Sequence, residues 1–521
     1  MDPLSASSYN LSAQRDTRLD FTASTKSLSQ YEQRNFKNLS PQIIAAVIAT
    51  SNHIVVGIAL AYSAVLIPQL ESSSDIPVTK TETSWIASVL ALVAPFGSIL
   101  SGYLMDKWGR IAVLKLSVVP GVIGWVLLAT SGSVPMIIIG RIFSGLASTL
   151  STNPAVVYIT EIARKDMRGS LIALGPTYVS LGMVIAYFKG WLINWRLIAW
   201  LCNIYLIIPF CLIFLIPESP IWLISKGRVE EARKALNWFH KYQPQPPNQS
   251  KTFAEMQLNL LVKEDETKKS DPQDGGNVIR EFLKPTGYKP LLILSGLFFF
   301  QQYSGIYIFL FYSVSFFENV GTTVNPYIAS ILIGVIRLIM SLLNTWMLQR
   351  FNRRLLIMIS GSGMAAAMLV SGLFTSWIKD GTTNLTWVPV LFLLFYVVAS
   401  MVGLLTIPWT MTAELFPLKI RSMAHSISLS VVNMIMFFAV QNYVNMEIAL
   451  GGSAGVQWFF SGLSLGAVIF TFVFLPETHR KKLSEIEDYF KHNSIYLGQK
   501  TKKETRAVSD NNEIDNLIKH V

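Results

Sequence analysis

The chain has 521 residues, of which 51% are hydrophobic and only 14% are charged, and its mean hydropathy is +0.42. A soluble domain averages roughly 25% charged residues, so the composition excludes an ordinary soluble enzyme and indicates a protein that crosses the membrane several times. The net charge of +11 would suggest nucleic-acid binding in a soluble protein. Here we expect the excess lysine and arginine to lie in loops on one side of a membrane, and we predict no nucleic-acid partner.

The chain begins with a polar stretch and continues with apolar segments. Residues 1–41 contain no apolar run, which predicts an N-terminal tail rather than a signal peptide. Apolar segments near the length of about 20 residues needed to cross a bilayer follow. They lie at 42–66, 84–104, 111–130, 134–158, 170–189 and 196–216, so residues 42–216 are predicted to form a six-helix half.

A polar linker at 217–288 separates these segments from a second set. Helical spacing of apolar residues at 228–239 predicts a short amphipathic helix, and the composition of 243–252 and 264–277 predicts flexible links. Further apolar segments lie at 289–312, 326–348, 354–377, 387–412, 422–445 and 455–475, so residues 289–475 are predicted to form a second half. The C-terminal tail, 476–521, begins with a predicted helix near Ser484 and is predicted to be disordered from about 495.

The predicted fold is an all-α membrane protein with twelve transmembrane helices in two six-helix halves. The short loops on one side carry most of the loop lysine and arginine; these loops are 105–110, 162–168, 349–354 and 417–421. Positively charged loops stay in the cytoplasm, so the linker and both termini are predicted to be cytoplasmic in a multi-pass plasma-membrane protein. Asn384 begins a glycosylation sequon in a loop that is then predicted to lie outside.

Charged residues recur at equivalent places in the two halves, as expected of a transporter built from two related units. Carboxylates and guanidiniums at cytoplasmic helix ends can pair across the gap between the halves and latch the outward-facing state. They must separate before the cytoplasmic side opens. The residues predicted to act in this way are Asp106, Arg110, Glu161 and Arg168 in the first half, and Arg350, Arg353, Arg354, Glu414 and Arg421 in the second.

These stretches, in order over about residues 42–490, resemble the sugar porter family of the major facilitator superfamily. Further stretches that carry the resemblance are 140–145, 217–223, 301–306 and 476–486. The beginning of the first segment, 56–62, is similar to the trehalose-transporter-like branch found in insects. The resemblance implies the major facilitator fold and transport of a sugar by alternating access, with no cofactor and no enzymatic activity.

The resemblance also implies a sugar site. Gln301 and Gln302 match the paired glutamines that hydrogen-bond sugar hydroxyl groups, and each amide offers two donors and an acceptor. Trp409 matches the tryptophan on which the sugar ring rests. Adjacent buried amides in a membrane helix need partners, which favours a functional role over simple packing.

Other positions of that site depart from the family pattern. Tyr307 and Arg337 stand where the family has asparagines, and Asn433 lies one place after the expected asparagine of the eleventh segment. Pro176 replaces a glutamine in the fifth segment, which leaves Thr177 and Tyr178 as nearby polar candidates. These departures predict that the pocket does not bind glucose in the usual manner of the family.

Arg337 lies in the middle of the eighth apolar segment, where a charge costs at least ~2.5–3.5 kcal/mol. A guanidinium cannot be neutralised at any accessible pH, so it requires a wet cavity, a carboxylate or a substrate. One alternative is a structural role, in which it snorkels or pairs within its own half, with Glu414 as a distant partner. The other alternative, a cavity-facing role, is favoured by its coincidence with a substrate-binding position of the family.

No acidic residue occurs from 43 to 66, where proton-coupled members of the family carry one, so we predict uniport. His53 could titrate near neutrality, but it lies about two and a half turns earlier. The favoured function is facilitative transport of a small polar solute, a hexose or trehalose-like sugar, with the lipid bilayer as surroundings and no obligate protein partner. Two alternatives remain open: a carrier of a small organic anion, and a non-transporting sugar receptor.

Overall fold

The computed structural model describes residues 35–164, 166–244, 252–270, 281–417, 420–479, 481, 483–492 and 496. Within these residues, twelve helical spans are long and apolar enough to cross a membrane. Each span coincides with one of the predicted segments, so the prediction of an all-α protein with twelve transmembrane helices is confirmed.

The first six spans contain nine helices. The first, third and fifth spans are each divided into two helices, by short interruptions at Ser51, Ser117 and Ala173. The helices are α1 (Phe36–Thr50), α2 (His53–Glu71), α3 (Lys80–Trp108), α4 (Arg110–Leu116), α5 (Val118–Ala129), α6 (Val134–Ile162), α7 (Arg168–Ile172), α8 (Leu174–Leu192) and α9 (Trp195–Ile213).

The linker contains three described helices, which are α10 (Pro220–Ser225), α11 (Val229–Phe239) and α12 (Phe253–Ser270). The amphipathic helix predicted at 228–239 is confirmed as α11, whose buried side chains are Ala232, Ala235, Leu236 and Phe239. The flexible link predicted at 264–277 is wrong for 264–270, which continue α12. The side chains and amides of Thr252 and Glu255 cap the start of this helix reciprocally, at 3.2 and 3.3 Å. Residues 245–251 and 271–277 lie outside the described part of the chain.

The second half contains ten described helices, eight in its six spans and two short ones after the seventh and eleventh spans, and one more follows in the tail. They are α13 (Pro285–Tyr303), α14 (Ile306–Phe311), α15 (Ser313–Asn319), α16 (Pro326–Arg350), α17 (Arg353–Lys379), α18 (Val388–Val402), α19 (Ile407–Glu414), α20 (Arg421–Gln441), α21 (Tyr443–Ala449) and α22 (Ser453–Phe474), with α23 (Leu483–His492) after them. The predicted tail helix is confirmed as α23, and the Lys289 ammonium donates to the carbonyl of its Phe490 at 3.1 Å.

The two halves meet along two pairs of long helices: α16 packs along α8, and α20 packs along α3. At Gly334 a Cβ atom would lie 3.1 Å from Cα of Val184, so α16 and α8 approach closely there. We call the side that bears α10–α12 and α23 the linker side, and the opposite side the far side. The interface between the halves therefore runs through the middle of the bundle, where the predicted sugar site falls.

Candidate functional site

The seventh span is broken where the predicted site begins. α13 ends at Tyr303, and Gly305 has a φ of +93°, a conformation that side chains disfavour. A Cβ atom on Gly305 would also lie 2.4 Å from the Phe460 ring. The break leaves the carbonyl of Ser304 without a helical partner, and the Tyr396 hydroxyl donates to it at 2.8 Å. The sequence Ser-Gly thus creates a stable interruption inside the membrane.

The tenth span is broken at the same depth in the bundle. α18 ends at Val402 and α19 begins at Ile407, and Gly403 lies so close to α17 that a Cβ would approach the Leu356 carbonyl oxygen to 2.4 Å. The Ser360 hydroxyl accepts from the Leu404 N–H at 2.9 Å. Backbone groups freed by such a break must be paired within the protein, because no water reaches them from lipid.

Gln301 connects these two breaks. Its fully buried amide nitrogen donates to the carbonyls of Leu404 at 2.8 Å and Leu405 at 2.9 Å. Its Oε1 accepts from the Gln302 amide nitrogen at 3.1 Å. The nitrogen and the oxygen of the Gln301 amide therefore both form hydrogen bonds within the protein, and Gln301 holds the Gln302 side chain in place.

Gln302 has hydrogen-bonding capacity left. It is fully buried, and its Oε1 has no partner among the described residues. One of its amide N–H groups donates to Gln301. An amide held in place by a neighbouring amide, with a free carbonyl oxygen, is suited to accept from a ligand hydroxyl group.

Aromatic side chains lie beside these glutamines. Trp409, on α19, packs edge-on against Phe298 of α13, with 5.5 Å between the ring centres. The Tyr307 side chain, on α14, interacts with the Trp409 side chain. The structure thus places Gln302, Tyr307 and Trp409 on the helices that adjoin the two breaks, and their role in binding a sugar stays a prediction.

Arg337 reaches the same region from α16. It interacts electrostatically with the phenol groups of Tyr307 and Tyr187, it is 8% exposed, and its Nε has no hydrogen-bond partner among the described residues. The structural alternative of a pair with Glu414 is wrong. Glu414 instead accepts from Arg353 at 3.2 Å and from the Thr478 hydroxyl at 2.8 Å, because it lies at the linker-side end of α19.

The two remaining predicted site residues are placed differently. Thr177, on α8, accepts from the Ser341 hydroxyl of α16 at 3.2 Å, a contact between the halves one turn from Arg337. Asn433 donates to the Leu429 carbonyl of its own helix at 2.7 Å. The structure therefore ties Thr177 to the interface near Arg337 and shows Asn433 engaged within α20.

Sequence reasoning missed two groups near this interface. The Tyr187 hydroxyl donates across it to the Leu310 carbonyl at 3.1 Å. Asn344, two turns after Arg337 on the same face of α16, is buried, and its Oδ1 has no partner among the described residues. A tyrosine or an asparagine in an apolar segment carries no motif, and helical spacing from Arg337 was the only signal that pointed to Asn344.

On the linker side, four of the predicted gating charges form ion pairs, each within a single half. Arg110 forms a bidentate ion pair with Glu161, at 2.7 Å for the closest atoms, and Arg353 pairs with Glu414. Asp106 and Arg350 are exposed, and Arg168 is half-buried, with no hydrogen-bond partner for its Nε within the described part of the chain. Arg421 donates to the Phe416 carbonyl at 3.3 Å, and Arg354 stacks on Tyr496 at 4.4 Å. Pairing across the gap in the outward-facing state stays a prediction.

Two further carboxylates brace these pairs by capping helices. Glu218 accepts from the backbone N–H groups of Arg110 and Ile111, both at 3.0 Å, and Glu477 accepts from those of Arg353 and Arg354, at 3.1 and 3.2 Å. Burial raises the pKa of Glu218, although these hydrogen bonds oppose the shift. The same arrangement of carboxylate, helix N-terminus and ion pair therefore occurs in both halves, in agreement with the repeat seen in the sequence.

Arg141 is fully buried in the first half and meets no carboxylate partner among the described residues. Its guanidinium donates to the carbonyls of Ala59 and Ile86 and to the hydroxyl of Ser63. The first span thus offers this arginine a backbone carbonyl and a serine, and the second span offers another carbonyl, all of them groups that do not titrate.

The chain matches one known family over most of its length. The family described as "Sugar (and other) transporter" matches residues 14–490. The chain belongs to this family. The chain is 32% identical to the facilitated trehalose transporter Tret1 of Polypedilum vanderplanki, over 86% of this chain and 87% of that protein. With Tret1 of Culex quinquefasciatus it shares 30% identity, over 93% and 91% of the two chains.

Solved structures confirm the fold. The proton:xylose symporter XylE bound to 6-bromo-6-deoxy-D-glucose is 23% identical, with a TM-score of 0.67 over 87% of this chain and 100% of that one. A partially occluded, inward open form of the xylose transporter XylE from E. coli is 22% identical, with a TM-score of 0.68 over 85% and 100%. This chain is thus a membrane transporter with the major facilitator fold.

Proposed function

We propose that this protein carries a sugar, either a hexose or a trehalose-like disaccharide, down its concentration gradient across the plasma membrane. The observation that carries the proposal is the open carbonyl oxygen of Gln302, held by Gln301 beside Trp409 at the meeting point of two broken spans. A fixed acceptor beside an aromatic face suits a ring that bears hydroxyl groups. The names of the Tret1 relatives support a sugar as substrate.

Alternating access requires that contacts between the halves form on one side at a time. Hydrogen bonds now join the halves toward the far side: Ser88 donates to Gln441 at 2.5 Å, and Tyr187 donates to the Leu310 carbonyl. Among the described residues, the ion pairs of the gating charges join residues of the same half. These contacts support a far-side-closed state, and in the opposite state the gating charges pair across the linker-side gap.

The linker side faces the cytoplasm, together with both termini. The support is the excess of lysine and arginine in the linker-side loops. Asn384, the predicted glycosylation site, is exposed in the loop between α17 and α18 on the far side, which is then extracellular. In the proposed orientation, Asn384 is accessible to glycosylation.

Transport is not coupled to protons. The support is Arg141, whose guanidinium is met by backbone carbonyls and Ser63 rather than by a carboxylate that could exchange a proton. A carrier without a titrating group at this place equilibrates its substrate and does not concentrate it.

The test is uptake into liposomes that contain the purified protein. Labelled trehalose and labelled glucose are supplied at equal internal and external pH, and then with the outside acidified. Saturable uptake to equilibrium that does not respond to the proton gradient is expected. Accumulation above equilibrium under the inward proton gradient would show symport, and the absence of saturable uptake of any sugar would refute the proposal.

A further inference from the structure

The guanidinium of Arg337 has no counter-charge within the described chain. It takes part in none of the ion pairs or hydrogen bonds found among the described residues, and it is only 8% exposed. The groups that interact with it electrostatically, Tyr187 and Tyr307, are phenols, which are uncharged at neutral pH. Because arginine stays protonated at any accessible pH, the centre of the bundle carries a permanent and uncompensated positive charge.

Arg141 shows how this fold accommodates an arginine whose partners are all built into the protein. Arg141 is fully buried as well, but its Nε and both terminal nitrogens each reach a backbone carbonyl or a hydroxyl group. Leaving a charge without such partners at mid-membrane is costly. The contrast indicates that the partner of Arg337 is supplied from outside the chain.

The position of Arg337 allows such a partner to reach it. Gly334, Arg337 and Ser341 share one face of α16, at helical spacings of three and four residues. Gly334 packs closely against Val184, and Ser341 contacts Thr177, so this face is the interface between the halves. A group at this interface becomes accessible from alternate sides as the halves rock.

Gln302 provides a second open group in the same site. Its Oε1 is an unpartnered acceptor among the described residues, whereas Arg337 offers only donors and a positive charge. Tyr307 links the two, since it follows Gln302 by five residues across the break and interacts with the guanidinium. A ligand that satisfies both groups must present a hydroxyl group and an anion.

We propose that the central site binds an acidic sugar, whose carboxylate lies against Arg337 and whose hydroxyl groups donate to Gln302. The inference rests on the proposed function and names the substrate class of that site. A planar guanidinium can hold a carboxylate through two parallel hydrogen bonds, which fixes the orientation of the ring. A free inorganic anion bound beside a neutral sugar would supply the same charge, and the experiment separates the two sources.

The experiment uses the full-length protein in liposomes and compares labelled glucuronate with labelled glucose. In the native protein we expect saturable glucuronate uptake, and we expect unlabelled glucuronate to inhibit glucose uptake more strongly than unlabelled glucose does. Replacing chloride by methanesulfonate is expected to leave glucuronate uptake unchanged. If glucose uptake instead depends on chloride and glucuronate does not enter, the acidic sugar is refuted and the anion is a free one.

Variants at Arg337 test the residue itself. Hydrogen bonds to charged groups are stronger than those between neutral groups, so Arg337→Gln should lower the ratio of glucuronate uptake to glucose uptake about tenfold or more. Arg337→Lys keeps the charge without the planar fork and should not restore native preference. Arg233→Gln, on an exposed face of α11 outside the membrane, is the matched control and should leave both rates unchanged.

The outcomes separate this inference from the proposed function. Saturable glucose or trehalose uptake that ignores chloride and is not inhibited by glucuronate overturns the anion site, and the neutral sugar carrier stands. Failure of every sugar, neutral or acidic, to enter overturns both. If Arg337→Gln does not fold, the competition and chloride experiments on the native protein still decide whether the site binds an acidic sugar.

Discussion

The adjacent glutamines Gln301 and Gln302 of the seventh span have different roles. Gln301 uses its amide N–H groups on the Leu404 and Leu405 carbonyls and its oxygen on Gln302. Gln302 keeps a free oxygen in a buried place, with no partner among the described residues. The two side chains are chemically identical, so this division depends on which of them faces the break in the tenth span.

Substitution should separate these roles. Gln301→Ala leaves two buried carbonyls unpaired, each at a cost of about 1–3 kcal/mol, and should lower the thermal stability of the detergent-solubilised protein. Gln302→Ala removes one hydrogen bond, the one to Gln301, so it should lower stability less than Gln301→Ala does and should raise the KM for sugar uptake. Equal losses of stability in both variants would contradict the assignment of Gln302 to the ligand.

At the scale of single residues, the sequence predicted the positions of the site residues better than it predicted their roles. Gln302, Tyr307, Arg337 and Trp409 were selected from motif positions, and the structure brings them together. The structural role of Gln301 could not be predicted, because its partners are backbone carbonyls about a hundred residues away. Backbone acceptors carry no sequence signal.

The helices themselves follow from hydropathy and were predicted well, because lipid requires each span to be a complete apolar helix. The seven residues at the end of α12 were not, because their high charge resembles a linker. Glutamate and lysine at this density also suit an exposed helix, and the cap at Thr252 starts it.

The break at Gly305 can be tested with an alanine at each of two glycines. Gly305→Ala forces a Cβ into a left-handed conformation, at about 1–2 kcal/mol, and against Phe460, so the melting temperature should fall. A Cβ atom on Gly462, inside α22, would meet no atom of the described residues within 4 Å. Gly462→Ala should therefore stabilise by up to about 1 kcal/mol. Melting temperatures of the two variants that shift in the same direction would contradict this interpretation.

His240, at the end of α11, makes the docking of the linker helices dependent on pH. Burial lowers its pKa from 6.5 to about 4, so the folded state holds it neutral while the unfolded linker binds a proton more readily. Its contribution is complete above pH 6.5 and is lost as the pH falls toward 4, by about 1.4 kcal/mol for each pH unit.

Hydrogen exchange of the α11 amides, corrected for the intrinsic effect of pH, should show less protection at pH 5 than at pH 7. His240→Leu removes the titrating group, so the same segment in that variant should keep its protection between these values. Protection in the native protein that does not change over this range would contradict the buried, neutral histidine.

At the scale of the whole molecule, twofold repetition was visible in the sequence but the pairing of charges was not. Arg110 could have reached a carboxylate in either half, and spacing along the chain does not distinguish them. The capping carboxylates Glu218 and Glu477 favour pairing within a half. They hold the N-termini of α4 and α17, so that Arg110 and Arg353 each face their own half. The conformational state is likewise absent from the sequence, since one sequence must encode both states.

Cross-linking the halves on the far side should stop transport. Ser88 and Gln441 are in hydrogen-bond contact across the interface, so a bis-methanethiosulfonate reagent can join Ser88→Cys to Gln441→Cys, in a background in which exposed Cys211 is Ser. Sugar uptake should fall to the background rate after cross-linking and return on reduction. Each single cysteine variant should transport with and without the reagent, and full uptake by the cross-linked double variant would exclude rocking at this interface.

The support that Gln301 gives to the break in the tenth span has a consequence for how such a carrier can change over evolutionary time. Gln301 holds the backbone of the break, and its neighbour Gln302 carries the open group that recognises the ligand. Mutations at 302 or 337 can therefore alter selectivity without removing the hydrogen bonds that hold the interrupted span. A transporter arranged in this way can acquire a new cargo by single substitutions while its fold persists, whereas exchange of position 301 removes the frame on which every such change depends.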